Sequence, residues 1–220
     1  MSKKHYLIFT VLLILASTLY ADTLLFENFD VVVPPNIPPG WIVVDNNSDG
    51  KTWSTSTSHP HTVPNCLRYV YSRTVPANDW FFTPALILEA GVTYTVEFYY
   101  RASSPSMPEK MRIYLATSQS PSAIVGSAIW DNNNITNTIY AQGLVDFTPQ
   151  TSGTYYLGFQ CYSDANRWNL RIDDIAVYKR VHDVGVETIY SPLPGTYSVG
   201  ANFTPKFLVR NYGQNTGGEI

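Results

Sequence analysis

The sequence predicts an all-β protein whose main domain is an antiparallel two-sheet jelly-roll β-sandwich. Apolar and polar residues alternate along most of the chain after residue 21, and no helical period is sustained. The 220 residues include 16 Tyr and 15 Pro, while charged residues make up only 14%. This composition is typical of a secreted all-β domain. The net charge of −3, without a basic stripe, gives no support for nucleic-acid binding.

The N-terminus has the pattern of a secretory signal peptide. Lys3 and Lys4 precede an apolar run over residues 6–16, and small residues lead to a cleavage point after Ala21. The apolar run is short for a membrane span, although a retained N-terminal anchor is the alternative. Residues 1–21 are therefore predicted to be removed, and the mature chain, without a transmembrane span, is predicted to be secreted or on the cell surface.

Alternation and turn residues divide residues 22–180 into about ten strands, the number expected for two packed antiparallel sheets. Pro-, Gly-, Asn- and Ser-rich segments connect them. The predicted strands are Leu24–Phe29, Trp41–Val44, Thr52–Thr57, Leu67–Ser72, Trp80–Leu88, Thr93–Ala102, Met111–Ser118, Thr138–Phe147, Thr154–Ser163 and Trp168–Tyr178.

A second, incomplete module is predicted over residues 181–220. The pattern D-V-G-V at residues 183–186, followed by V-R-N-Y-G at residues 209–213, resembles the first strands of an immunoglobulin-like domain of bacterial surface proteins. Only about 40 residues are present, whereas such a sandwich needs about 100. The sequence is therefore expected to be a piece of a longer polypeptide; the alternative is a β-tail that packs on the first domain.

Residues 45–50 read D-x-N-x-D-G, a pattern suited to a hard cation such as Ca²⁺. Asp45, Asn47 and Asp49 place an oxygen side chain at every second position, and Gly50 permits the positive φ of the turn. An EF-hand would place Glu at the twelfth loop position, where this chain has Ser56. A closing carboxylate must come from elsewhere in the fold. We therefore expect a structural Ca²⁺ ion that stabilises loops, and not a Ca²⁺-sensor site. The alternative is a solvated turn without a metal.

Further metal ligands are predicted on the first and last strands, which lie close together in a jelly roll. Glu27 lies on the first strand and the adjacent Asp173 and Asp174 on the last. Two adjacent carboxylates near a core strand repel each other and are costly to desolvate, and a cation would offset both effects. In the alternative, Asp174 forms hydrogen bonds at a bulge and Asp173 is solvated. Asp79 is a further candidate, although an Asn-Asp turn accounts for it more simply.

Alternation also predicts a polar-aromatic sheet face that would suit a sugar ligand. Tyrosine rings present flat apolar surface to pyranose C–H groups, while amides and guanidinium groups bond the hydroxyls. The alternative is that tyrosine is present for its strand propensity alone. The residues predicted to face outward together are Tyr99, Arg101, Arg112, Tyr114, Tyr156, Gln160 and Tyr162.

No catalytic constellation is found in the sequence. There is no nucleophile elbow, and the pair His59 and His61 has no evident third metal ligand. Export would permit a disulfide between Cys66 and Cys161, but buried free thiols are equally compatible with the pattern.

Six motifs in order resemble one family, the cleaved-adhesin or choice-of-anchor J domain of the gingipain haemagglutinin/adhesin regions, which is similar in architecture to MAM domains. The motifs are Phe26–Phe29, Pro38–Trp41, Asp45–Trp53, Asn78–Pro84, Tyr94–Arg101 and Arg167–Val177.

This resemblance implies an extracellular, Ca²⁺-stabilised β-sandwich without catalytic activity, found in adhesins and appended to secreted peptidases and other hydrolases. The expected ligand is a glycan or an extracellular protein. The chain has Asn47-Ser48 where the family often has Asp-Gly, so weaker Ca²⁺ binding is expected. The expected role is adhesion; the alternatives are an accessory domain of a larger secreted hydrolase and a structural spacer.

Overall fold

A computed structural model describes residues 23–180, 184–191, 202 and 204–211. These residues form fourteen strands and one short 3₁₀ turn, Pro121–Ala123. The strands are β1 Thr23–Glu27, β2 Ile42–Asp45, β3 Trp53–Ser56, β4 Cys66–Tyr69, β5 Asp79–Phe82, β6 Leu86–Leu88, β7 Tyr94–Ala102, β8 Glu109–Ala116, β9 Ile124–Ile135, β10 Ala141–Phe147, β11 Gly153–Cys161, β12 Leu170–Lys179, β13 Val184–Ser191 and β14 Lys206–Asn211.

The first twelve strands form two antiparallel sheets, which confirms the predicted sandwich. Sheet A has the order β10-β7-β12-β4-β3, with β1 added to β12. Sheet B has the order β2-β5-β11-β8-β9, with β6 added to β11. Strands that are neighbours in a sheet are thus mostly distant in sequence.

Aromatic rings from both sheets form the centre of the core. Phe81 of β5 and Phe159 of β11, both in sheet B, stack with ring centroids 4.5 Å apart. From sheet A, Phe98 meets Phe159 edge-on at 5.8 Å and Trp53 meets Phe81 at 4.9 Å. All four rings are buried, and aromatic rings of this size contribute a large part of the apolar area removed from water.

Two differences between the predicted and the observed strands go beyond shifts of a few residues at the strand ends. The predicted strand Trp80–Leu88 is two strands, β5 and β6, because Pro84 between them has no backbone N–H to donate. The long strand β9 was not predicted, because Gly126 and the run Asp131–Asn134 are residues typical of turns. It pairs in the sheet only with β8, where such residues are tolerated.

Both cysteines are buried free thiols in the structure. Cys66 begins β4 in sheet A and Cys161 ends β11 in sheet B. Burial raises the pKa of the Cys66 thiol to about 11, and burial also raises the pKa of Cys161. The sequence left open a disulfide and a pair of buried free thiols, and the structure has the free thiols.

The sandwich is one compact unit, Asp22–Lys179. Strands β13 and β14 form a separate antiparallel hairpin, and the predicted immunoglobulin-like module, of which they are part, stays a prediction. The predicted signal peptide lies outside the described residues. Within the described ranges, no helix has the length and apolar character needed to cross a membrane.

A carboxylate is buried without a partner at the start of β8. Glu109 is fully buried, and neither of its carboxylate oxygens has a hydrogen-bond partner. Burial raises its pKa to about 7, and the nearby Ser163 hydroxyl and the charges of Arg167 and Arg171 offset this rise only in part. The folded chain therefore favours the protonated acid.

We predict that Glu109→Gln flattens the dependence of folding stability on pH. Between the ordinary pKa of 4.5 and about 7, the folded chain holds a proton here that the unfolded chain has released. The stabilisation is complete below pH 4.5 and is lost as the pH rises through 7, an effect of about 3 kcal/mol. Chemical denaturation at a series of pH values measures it. An unchanged slope in Glu109→Gln would contradict the prediction.

Candidate functional site

The outer face of sheet B brings five of the seven predicted ligand-binding residues together. Cross-strand pairing aligns Gln160 of β11 with Arg112 of β8, and Arg112 with Asp131 of β9. In the neighbouring rows Gly158 is paired with Tyr114, and Tyr156 with Ala116. Tyr162 follows the end of β11 and donates its backbone N–H to the Lys110 carbonyl. We call this surface the sheet B face; its central residues are Arg112, Tyr114, Tyr156, Gln160 and Tyr162.

A layer of aromatic side chains lies within this face. Trp80 and Phe82 of β5 stack in parallel, with ring centroids 5.8 Å apart, and Trp80 contacts Tyr114 at 5.6 Å. Gly158 makes room for the layer, because a Cβ on it would lie 2.5 Å from Phe82 Cε1. Tyr114 and Tyr156, both partly exposed, pack against this layer. The face therefore presents partly exposed rings on a rigid, buried base.

Hydrogen bonds orient the polar groups of the sheet B face. Asn78 Oδ1 accepts hydrogen bonds from Trp80 Nε1 and Gln160 Nε2, each at 3.0 Å. Asp131 accepts from Arg112 Nε at 3.1 Å and from the Tyr162 hydroxyl. The Arg112 guanidinium lies 4.0 Å from the Tyr162 ring centroid, a cation–π contact. Burial and Asp131 raise the pKa of Tyr162 to about 12, so its hydroxyl stays protonated.

The prediction of one shared face is wrong for Tyr99 and Arg101. Both lie on β7, which belongs to sheet A, whereas β8 and β11 belong to sheet B. Alternation assigns a side chain to the outside of its own strand but does not tell which sheet holds that strand. The same alternation could have found Trp80, because it precedes the buried Phe81 in sequence and so faces outward.

The loop with the D-x-N-x-D-G pattern follows β2. Asp45 Oδ1 and Oδ2 accept hydrogen bonds from the backbone N–H groups of Asp49 and Gly50, at 3.3 and 2.8 Å. Asn47 Nδ2 donates to the Pro76 carbonyl at 2.7 Å, and Gly50 has a φ of +74°. The side chains thus hold the loop in a tight turn, as the pattern predicts.

Four buried oxygen atoms at this loop make no hydrogen bond of normal geometry: Asn47 Oδ1, Asp49 Oδ2, Thr52 Oγ1 and Asp79 Oδ1. The Thr52 hydroxyl nevertheless lies near enough to Asp79 to act on its pKa. Asp79 is the Cα partner of Asp45 in the pairing of β5 with β2. Burial raises the pKa of Asp79 to about 7, the Thr52 hydroxyl and a backbone N–H lower it, and the charges of Asp45 and Asp49 add to the rise. Carboxylate, amide and hydroxyl oxygens are ligands that Ca²⁺ prefers, and buried polar groups without partners are costly. The donor set therefore fits a calcium ion.

The other predicted metal ligands, Glu27, Asp173 and Asp174, already accept hydrogen bonds. Asp173 accepts from the backbone N–H groups of His61, Thr62 and Asp174, and Glu27 accepts from that of Phe29. Asp174, with a φ of +47°, accepts from His61 Nδ1 and from the Thr62 hydroxyl.

Two of the carboxylates at the end of β1 and β12 also have raised pKa values. Burial and the charge of Asp174 raise the pKa of Asp173 to about 7, while burial and the charge of Asp30 raise that of Glu27. Throughout the described residues, the loop after β2 included, no group of three or more His, Cys, Asp or Glu is arranged to hold a metal, so the fit of that loop to calcium depends also on its amide and hydroxyl oxygens. The assignment of Glu27, Asp173 and Asp174 as metal ligands stays a prediction.

The fold and this face define a non-catalytic β-sandwich binding module. Residues 22–177 match the family model of the Cleaved Adhesin Domain. The chain belongs to this family, which confirms the resemblance and the prediction of a module without catalytic activity. No curated protein has a sequence that matches this chain.

Solved structures show the same fold at low sequence identity. The K3 domain of Lys-gingipain from Porphyromonas gingivalis W83 is 19% identical, with a TM-score of 0.59 over 72% of this chain and 98% of that domain. Its K1 domain is 17% identical, with a TM-score of 0.56 over 70% of this chain and 96% of that domain. The CBM22-1–GH10 modules of a Clostridium thermocellum xylanase, solved with xylohexaose, are 11% identical, with a TM-score of 0.52 over 79% of this chain and 30% of theirs. The jelly-roll prediction is thereby confirmed.

We predict that Gly158→Ala destabilises the domain and disturbs the aromatic layer. The new methyl group would push into the Phe82 ring, which is buried and stacked on Trp80, and overpacking of this kind costs about 1–3 kcal/mol. Chemical denaturation measures the loss, and tryptophan fluorescence reports on the layer. Gly153→Ala on the same strand is the matched control, since its Cβ would lie no nearer than 3.8 Å to Tyr155. Equal stability of the two variants would contradict the proposed close approach.

Proposed function

We propose that this protein is an adhesion module that binds glycans through the sheet B face. The observation that carries the proposal is the alignment of Tyr114, Tyr156 and Tyr162 with Arg112 and Gln160 on one face. The rings supply flat apolar surface, and the guanidinium and amide groups supply hydrogen bonds for hydroxyls. The buried base of Trp80 and Phe82 keeps the face rigid, which lowers the entropy lost on binding.

Relatives of the same fold support a carbohydrate ligand. The xylanase structure that shares the fold was solved with xylohexaose, so we choose xylohexaose as the first neutral probe. In that protein the matched modules are part of an enzyme chain, which favours an accessory role beside a hydrolase as the second candidate.

A secreted or surface location is proposed from the predicted signal peptide, and an extracellular protein is the alternative ligand.

We predict that Tyr114→Ala weakens glycan binding about two- to twelvefold, because a ring contact contributes about 0.5–1.5 kcal/mol. Tyr114→Phe, which keeps the ring, should retain most of the affinity. A glycan array that includes xylohexaose identifies a ligand, and calorimetry measures the change. Because Trp80 contacts Tyr114, its fluorescence should respond to the ligand in the unaltered protein. If Tyr114→Ala leaves glycan binding unchanged, the glycan does not bind at the sheet B face.

We also propose that Ca²⁺ stabilises the domain at the loop after β2. The support is the set of orphaned oxygens on Asn47, Asp49, Thr52 and Asp79, organised by the turn at Asp45. A cation there would bind these oxygens and offset the repulsion between neighbouring carboxylates. Asp79, which is paired with Asp45 across β2 and β5, would supply the closing carboxylate that the loop pattern lacks.

We predict that Ca²⁺ raises the melting temperature by several degrees relative to EGTA, equivalent to about 1–3 kcal/mol by mass action. Asp49→Ala and Asp79→Asn should each abolish this rise. Glu27→Gln, at the other predicted cluster, should preserve it. Differential scanning calorimetry of the unaltered protein and the three variants decides between the loop after β2 and the cluster at Glu27. If the Ca²⁺-dependent rise in melting temperature survives Asp49→Ala but is lost in Glu27→Gln, the ion binds at the end of β1 and β12 instead.

A further inference from the structure

Three arginines lie side by side on the outer face of sheet A. Arg171 of β12 is paired across the sheet with Arg68 of β4 on one side and with Arg101 of β7 on the other. Their neighbours in sequence, such as Leu67, Ile172 and Ala102, are buried, so alternation directs the three arginines outward. We call this set the arginine row. Like charges that are directly opposite each other across strands are destabilising, so a row of three is unfavourable without a partner.

Hydrogen bonds hold the central arginine in position. Arg171 is buried, and its Nε and Nη2 donate to the Ser58 carbonyl and hydroxyl, while Nη1 donates to the Ser103 hydroxyl. None of these acceptors carries a charge. Burial lowers the pKa of Arg171, and the positive charges of Arg101 and Arg68 lower it further.

The two flanking arginines lack an anionic partner. Among the described residues, no carboxylate lies within ion-pair distance of Arg68 or Arg101, although five other ion pairs are present. Arg68 Nε is buried without a hydrogen-bond partner. Asp173, two residues from Arg171, already accepts three backbone N–H groups. Among the described residues, the arginine row therefore forms no ion pair.

The surroundings of the arginine row favour a sugar as the carrier of the missing anion. The Arg101 guanidinium lies 5.8 Å from the Tyr140 ring centroid, so an aromatic ring borders the row. Tyr99, the neighbour of Asp173 across the sheet, stacks on His61 at 3.9 Å. A chain with a net charge of −3 has little general attraction for polyanions, so binding of one would need a local cluster of this kind.

We propose that the arginine row is a second binding site, which takes the sulfate or carboxylate groups of an acidic glycan on the face opposite the sheet B face. Arg68 and Arg101 bind the oxyanions with the Nη groups of their guanidinium ends, because Arg101 Nε donates to the Ala102 carbonyl and Arg68 Nε is buried. Arg171 adds its charge and holds the loops at Ser58 and Ser103, which border the site. The site does not rest on the glycan site of sheet B, and the two can be tested separately.

The test measures binding of heparin fragments and of oligogalacturonate to the unaltered chain and to the Arg68→Gln/Arg101→Gln double variant. We expect the unaltered chain to bind at least one of them, and the double variant to bind it tenfold or more weakly, as expected for the loss of charge-assisted hydrogen bonds. Oligogalacturonate carries carboxylates alone, whereas heparin carries sulfates as well as carboxylates, so binding of heparin without binding of oligogalacturonate would indicate that sulfate is required. Affinity should fall as the salt concentration rises, because salt screens these partly exposed charges.

Three controls keep the result interpretable. Lys179→Gln removes one positive charge from the same strand, away from the arginine row, and should leave binding unchanged. The melting temperature of the double variant without ligand should be equal or higher, because a repulsion is removed. Tyr114→Ala, which tests the other face, should leave heparin and oligogalacturonate binding intact.

The proposal is overturned if neither polyanion binds at low salt, if the double variant binds as tightly as the unaltered chain, or if Lys179→Gln weakens binding as much as the double variant. Equal affinity for single-stranded DNA and heparin would overturn the assignment to glycans.

Discussion

The aromatic contact between the two sheets is the constraint on which the rest of this structure depends. Phe81 and Phe159 stack within sheet B. From sheet A, Phe98 meets Phe159 edge-on and Trp53 meets Phe81 edge-on. Because side chains alternate along a strand, placing these rings inside sends their neighbours to the outside. Trp80 and Gln160 thereby reach one outer face, so the core that closes the sandwich also determines which groups can meet a ligand.

The two outer faces that result have different chemistry. The sheet B face is aromatic, and its charges are paired, as between Arg112 and Asp131. The outer face of sheet A carries three aligned arginines with uncharged hydrogen-bond partners for the central Arg171. A β-sandwich supports both surfaces at once, because residues on opposite outer faces do not share packing and can change independently.

Buried carboxylates mark the places where the sandwich departs from a simple apolar core. Asp79, Glu109 and Asp173 all have a pKa raised to about 7, with burial as the main cause. The three differ in their partners. Asp173 accepts three N–H groups and holds a loop, Glu109 has no partner, and Asp79 lies beside other orphaned oxygens. Asp79 lies among several oxygen atoms that lack hydrogen-bond partners, and this favours the loop after β2 as the calcium site.

The sequence alone determined most strands and the side of each strand that faces the core, because period-two alternation is a local property. It also indicated the loop at Asp45, whose turn is formed by neighbouring side chains. Only the tertiary structure decided which strands are neighbours, since that depends on hydrogen bonds and packing between distant segments. The tertiary pairing separated Tyr99 from Tyr114, joined Asp79 to Asp45, and aligned the three arginines of sheet A.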